Sequence, residues 1–184
     1  RRTTESPAVG GGIIAKIPED YCQTAGRVEE GKERSETTFE WFEMIETKVK
    51  CGSNVAIAIP TLWNGGLLLK CHGFRVPRAS SEPEHELRPK TDFFVGELLK
   101  RGWATGATSY RRDGRCVKDG VADLLELRDF CVSTLLARKG RLPWPVIIEG
   151  RSMGGAIVAH ASEIAPFGFF DGAVAIGAAL LVGK

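Results

Sequence analysis

Nothing in this chain of 184 residues is apolar for long enough to cross a bilayer. The longest apolar run, Ala173 to Val182, is mostly glycine and alanine and falls far short of a span. The opening residues Arg1-Arg2-Thr3-Thr4-Glu5 lack the hydrophobic region of a signal peptide, so no membrane partner is expected. Residue 1 is Arg and not Met, which leaves targeting information upstream an open matter. An excess of one charge is missing too. Lysine and arginine number 25 against 23 aspartates and glutamates, and a net charge of +2 gives no field that would gather nucleic acid. The five cysteines (Cys22, Cys51, Cys71, Cys116, Cys131) are odd in number, irregularly spaced and without a C-x-x-C pair. That pattern suits neither a disulfide framework nor a zinc site, and it points to reduced thiols in a cytoplasmic setting. Cys71 and Cys131 lie in apolar patterns and are expected in the core. No metal and no organic cofactor is implied.

What is present fits one soluble globular domain, with 43% hydrophobic and 26% charged residues. Residues 1–35 are polar and glycine-broken, and read as an N-terminal extension in which Ile13 to Ile17 is a candidate edge strand. From Thr37 the texture becomes β: Phe39, Trp41, Met44 and Ile45 lie in a glutamate-laced stretch, and Asn54 to Ile59 alternates cleanly. Leu67 to Cys71 suits a central strand. A proline-rich, charged loop, residues 76–90, holds His85. Asp92 can cap a helix that carries Phe94, Val95, Leu98 and Leu99. Trp103 to Tyr110 reads as a strand, and the arginines of Arg111-Arg112-Asp113-Gly114-Arg115 as a solvated turn. A long helix follows from about Val117 to Lys139, with Val121, Leu124, Leu125, Val132 and Leu135 inward and Gly140 as its stop. Strands alternating with helices predict an α/β fold: a mainly parallel sheet with helices on both faces.

The chemistry gathers in Pro145-Val146-Ile147-Ile148-Glu149-Gly150-Arg151-Ser152-Met153-Gly154-Gly155. Val146 to Ile148 reads as a buried strand, and Ile157, Val158, Ala161 and Ile164 line one face of a helix that Pro166 ends. With 22 glycines in the chain, a chance G-x-S-x-G arises about one time in ten, so the flanking strand and helix carry the weight. Strand, G-x-S-x-G and helix together form a nucleophile elbow, whose tight turn strains Ser152 and lifts its hydroxyl above the sheet. Gly150 and Gly154 are required where a Cβ would collide with a neighbouring element. The Met153 N–H belongs to a helix N-terminus, where negative charge is favoured.

Gly150-Arg151-Ser152-Met153-Gly154-Gly155 resembles the elbow of the α/β-hydrolase family, which includes esterases, lipases, thioesterases and serine peptidases. The strand ending in His72-Gly73-Phe74 is similar to the family segment that supplies the second oxyanion donor. The resemblance implies that Ser152 is the nucleophile and that the Met153 and Phe74 backbone N–H groups hold the oxyanion. His72 is then expected to be structural, holding that loop. The likeness runs from roughly Thr37 to the end and makes 36–184 a partial α/β-hydrolase domain. A small-molecule ester or amide is the implied substrate. Arg151 also occurs in peptidase-like members, which keeps a serine peptidase open.

In that family the acid and the histidine follow the serine in sequence. Only His160 does so here, about two turns along the same helix, and Asp171 precedes its strand at the far end of the sheet. Neither suits a triad. The last strand, read as Ala173 to Leu181, is apolar on both faces as only an interior strand should be. The acid and base are therefore expected beyond Lys184, in a remainder of the domain that pairs with this strand. Two alternatives stay open: a catalytically inactive scaffold or binding protein, and a Ser152–His72 dyad.

Overall fold

In a computed structural model of the chain, residues 35–76, 87 and 92–179 are described. The candidate strand at Ile13 to Ile17, Cys22 and His85 lie outside these residues. The elements run β1 (Ser35–Thr38), β2 (Phe42–Lys48), β3 (Asn54–Pro60), β4 (Leu67–Cys71), α1 (Phe93–Lys100), β5 (Ala104–Thr108), α2 (Val117–Lys139), β6 (Val146–Arg151), α3 (Met153–Ile164) and β7 (Gly172–Ile176). The seven strands form one sheet in the order β1-β2-β3-β5-β4-β6-β7. The β1, β2 and β3 strands form an antiparallel meander, β3 is antiparallel to β5, and β5, β4, β6 and β7 run parallel. The α/β expectation holds, with the parallel half of the sheet carrying the site.

Alternation along β3 decides which core each side chain joins. Val55, Ile57 and Ile59 enter the core shared with α2 and α3, whereas Ala56 and Ala58 join Phe42, Met44, Val95 and Leu99 in the core under α1. Full burial of a branched side chain such as Ile57 contributes about 1.5–3 kcal/mol. The α1 helix begins where Asp92 Oδ1 accepts the Val95 N–H at 3.1 Å. Gly140 ends α2 in the left-handed region, at φ 71°. A Cβ on Gly120 would lie 2.4 Å from Ile157 Cδ1, so that glycine lets α2 and α3 cross closely.

Several local expectations need correction. The strand expected from Trp103 to Tyr110 is shorter, because Tyr110 turns to φ 58° and leaves the extended region. On α2, Leu127, Phe130 and Cys131 are fully inward and Leu125 only partly. Ile164 is half exposed because it sits on the last turn of α3. The last strand, expected over Ala173 to Leu181, is β7 over Gly172–Ile176; among the described residues it is an edge strand with Ala173 to Ile176 exposed, as expected of it without a neighbour.

Candidate active site

The carboxyl ends of β5, β4 and β6 lie side by side, and the residues singled out in the sequence gather there. Ser152 sits between β6 and α3 at φ 56°, ψ −118°, and it is exposed. A non-glycine residue in the left-handed half of the map costs about 1–3 kcal/mol, so other contacts must hold it. Its N–H donates to Ile176 O (2.9 Å), and its carbonyl accepts from Ala156 N (3.1 Å) and Ala179 N (3.2 Å). Two glycines make the turn possible. A Cβ on Gly154 would sit 2.0 Å from the Cys71 carbonyl oxygen, and one on Gly150 would sit 2.3 Å from Gly154 O. The first turn of α3 is thus laid against the backbone end of β4. Met153, the first residue of that helix, is buried, and its N–H has no acceptor within the helix.

The His72-Gly73-Phe74 segment leaves β4 directly beside this turn. A Cβ built on Gly73 would lie 3.3 Å from Arg151 O and 3.7 Å from Ser152 Cβ. The His72 ring places Nδ1 2.7 Å from Gly73 O and Nε2 3.4 Å from Ser109 O, so both nitrogens face backbone carbonyls. Phe74 is half exposed. A cavity of about 690 Å³ opens beside the loop, with Phe74, Arg75, Arg151 and Glu149 in its wall and Lys70 deeper. Lys70 pairs with Asp92. Burial works to raise the Asp92 pKa, but hydrogen bonds from Lys70 and from the Val95 and Phe94 N–H groups, with the Lys70 charge, hold it below the usual range.

Three further titratable groups, Cys71, His160 and Asp171, are not placed for catalysis at Ser152. Burial pushes the Cys71 thiol up to about 12, which keeps it protonated and inert. His160 is half exposed on α3, with Nδ1 3.7 Å from Glu163 Oε2. Asp171 lies at the opposite end of the sheet, where its carboxylate accepts the Val146 N–H at 2.7 Å. Among the described residues no three metal-ligating side chains cluster, and no helix is long and apolar enough to cross a membrane.

Two features escaped the sequence. Arg111, expected in a solvated turn, instead grips the fully buried Asp123 of α2: Nε lies 2.7 Å and Nη2 2.6 Å from Oδ1, and the Arg111 N–H donates to Oδ2 at 2.8 Å. Those bonds to Asp123 raise the pKa of the guanidinium, which stays charged. Tyr110, next to it, is buried and donates its hydroxyl to His72 O at 3.1 Å. A carboxylate at position 123, between the inward-facing Val121 and Leu124, was the available signal. The local sequence marks the left-handed Tyr110 only weakly, through the hydroxyls before it: Thr108 Oγ1 accepts the Tyr110 N–H at 3.2 Å and Ser109 Oγ donates to its carbonyl at 3.1 Å.

No family model and no curated protein matches the chain. Solved structures do. A rice cell wall degrading esterase, LipA of Xanthomonas oryzae, superposes with a TM-score of 0.59 at 17% identity, over 74% of this chain and 42% of that one. An esterase of Pyrococcus furiosus matches with a TM-score of 0.49 at 18% identity, over 95% and 58%. Prolyl oligopeptidase B of Galerina marginata matches with 0.47 at 20%, over 80% and 21%. The chain therefore spans less than half the length of the esterase LipA. Sheet order, strand directions, the turn between β6 and α3, and the superposition on LipA agree on one conclusion: the chain has the α/β-hydrolase fold, in part.

Proposed function

We propose that this chain is the N-terminal portion of a serine hydrolase that cleaves a carboxylic ester, with thioester and amide as related substrates. The observation that carries this is Ser152: a non-glycine residue at φ 56°, exposed at the head of α3, with the His72-Gly73 loop packed against it. Ser152 Oγ attacks the ester carbonyl carbon, and its proton passes to a histidine supplied, with its acid, by polypeptide beyond Lys184. The Met153 and Phe74 N–H groups take the charge that develops on the carbonyl oxygen, since donors already in place stabilise it without reorganisation. The C–O bond then breaks and the alcohol leaves with the proton. Water attacks the acyl-enzyme, releases the acid and restores the serine. The same remainder of the domain pairs with β7, whose outer edge and faces are exposed.

A second reading, an inactive scaffold, is favoured by one observation. The His72 nitrogens point at carbonyls and His160 points to solvent, so among the described residues no histidine is poised to take the Ser152 proton. One experiment separates the readings: treat the 184-residue chain and the polypeptide extended past Lys184 with a fluorophosphonate, and locate the label by peptide mass spectrometry. The extended protein is expected to label at Ser152, to hydrolyse p-nitrophenyl butyrate, and to lose at least about 10³-fold in rate on Ser152→Ala. The shorter chain is expected to stay unlabelled. Label on Ser152 in the shorter chain would place the base within it and make His72 the candidate. An unlabelled extended protein would leave the scaffold.

A further inference from the structure

Resting on the proposed role of Ser152, a second left-handed residue explains how the oxyanion donor beside it is aimed. The Phe74 N–H shares a rigid, planar peptide with the Gly73 carbonyl, and in a trans peptide the two point in opposite directions. Whatever holds Gly73 O therefore sets the direction of the Phe74 N–H. The Nδ1 of His72 lies 2.7 Å from that oxygen. With the proton on Nδ1, the imidazole donates to Gly73 O and turns the Phe74 N–H away from itself. The preceding peptide is held as well, because the Tyr110 hydroxyl donates to His72 O at 3.1 Å. The Tyr110 ring also packs against the imidazole, with centroids 4.1 Å apart and the planes tilted by 33°. Gly73, the hinge between the two peptides, has no Cβ and would otherwise allow many orientations of the donor.

Tyr110 reaches this position only because its backbone is bent. Its φ of 58° costs energy in a tyrosine. Thr108 Oγ1 accepts its N–H at 3.2 Å, Ser109 Oγ donates to its carbonyl at 3.1 Å, and the Asp123 carboxylate grips the backbone and side chain of the next residue, Arg111. We propose that Tyr110 is a positioning residue for acyl transfer: with its hydroxyl on the His72 carbonyl and its ring on the imidazole, it fixes the Phe74 N–H as second donor to the oxyanion. Tyr110 touches no reacting atom and acts through His72 and Gly73.

The test is Tyr110→Phe in the extended polypeptide, which keeps the ring and removes the hydroxyl. Two readouts are taken. Hydrogen–deuterium exchange of the peptide spanning Leu67 to Val76 is expected to quicken at the loop amides while β6 and α2 stay protected. This arm needs no catalysis. Hydrolysis of p-nitrophenyl butyrate is expected to show kcat about tenfold lower with KM within about twofold, since the donor contributes only as charge develops. Loop exchange equal to wild type would overturn the proposal, as would quickened exchange with kcat unchanged. A variant that fails to fold is replaced by 3-fluorotyrosine at position 110, whose fluorine lowers the phenol pKa: relative to wild type, the fall in kcat and the quickening of loop exchange are expected to set in at lower pH, where the hydroxyl loses its proton. pH profiles identical to wild type would overturn the proposal. If Ser152→Ala leaves hydrolysis intact, the Ser152 proposal has failed, and the exchange arm alone still decides whether Tyr110 holds the loop.

Discussion

Two turns of this protein place a non-glycine residue in the left-handed region at nearly the same angle: Ser152, at φ 56°, and Tyr110, at φ 58°. They follow β6 and β5, the two strands that flank β4. The Ser152 turn is held through backbone, by Ile176, Ala156 and Ala179, and by two glycines where no Cβ fits. Its side chain is left out in solvent. The Tyr110 turn is held through side chains, by Thr108 and Ser109 on its own backbone and by the Asp123 carboxylate on Arg111, and its own side chain is buried to 4% exposure. Similar strain thus serves opposite ends: one turn presents a hydroxyl, and the other inserts one beneath the neighbouring loop.

The comparison can be broken most forcefully at Asp123. Asp123→Ala removes the buried partner of Arg111 and is expected to cost about 3–5 kcal/mol in urea unfolding, while a matched change at exposed Asp113 costs little. Glycine at each turn sharpens it, because glycine relieves the strain at both. Tyr110→Gly also empties a buried aromatic site and is expected to lose about 3 kcal/mol. Ser152→Gly loses no buried contact and is expected to gain about 1 kcal/mol. The same sign at both positions would mean that burial of the side chain is not what distinguishes the turns. The smallest effect lies on β4 between them, where Lys70 meets Asp92. Because the folded protein holds the Asp92 pKa below its unfolded value, the stabilisation is present above about pH 4 and is lost as pH falls through the folded value. Asp92→Asn keeps the helix cap and should remove an acid loss of about 1 kcal/mol or less, read from urea midpoints at falling pH.

These turns also mark where sequence reasoning reaches its limit. The strand and helix around Ser152 declare themselves through the β-branched run Val146 to Ile148, the two glycines and the helical spacing of Ile157, Val158 and Ala161. Such signals are local, and so the α/β layering and the turn at Ser152 could be read. Tyr110 carries only a weak one, the hydroxyls of Thr108 and Ser109 before it. Its own N–H donates to Thr108 Oγ1 (3.2 Å) and its carbonyl accepts from Ser109 Oγ (3.1 Å), while Asp123, from a different element, fixes the next residue, Arg111, and sequence alone does not show that last contact. The edge position of β7 was legible: a strand apolar on both faces suits a covered place, and the expectation of a missing neighbour agrees with its exposure among the described residues.

The anchors of Ser152 also set the order in which the site can come into being. Its amide is held by Ile176 and its carbonyl by Ala179, both later in the chain than the serine itself. Parallel neighbours cannot be closed by a tight hairpin, so β4, β6 and β7 pair only after long crossovers have been threaded between them. On the ribosome, a nascent chain that has emerged only through α3 has its serine but neither of those later anchors. The left-handed turn at Ser152 is therefore a late product of synthesis, withheld until β7 and the residues after it leave the exit tunnel.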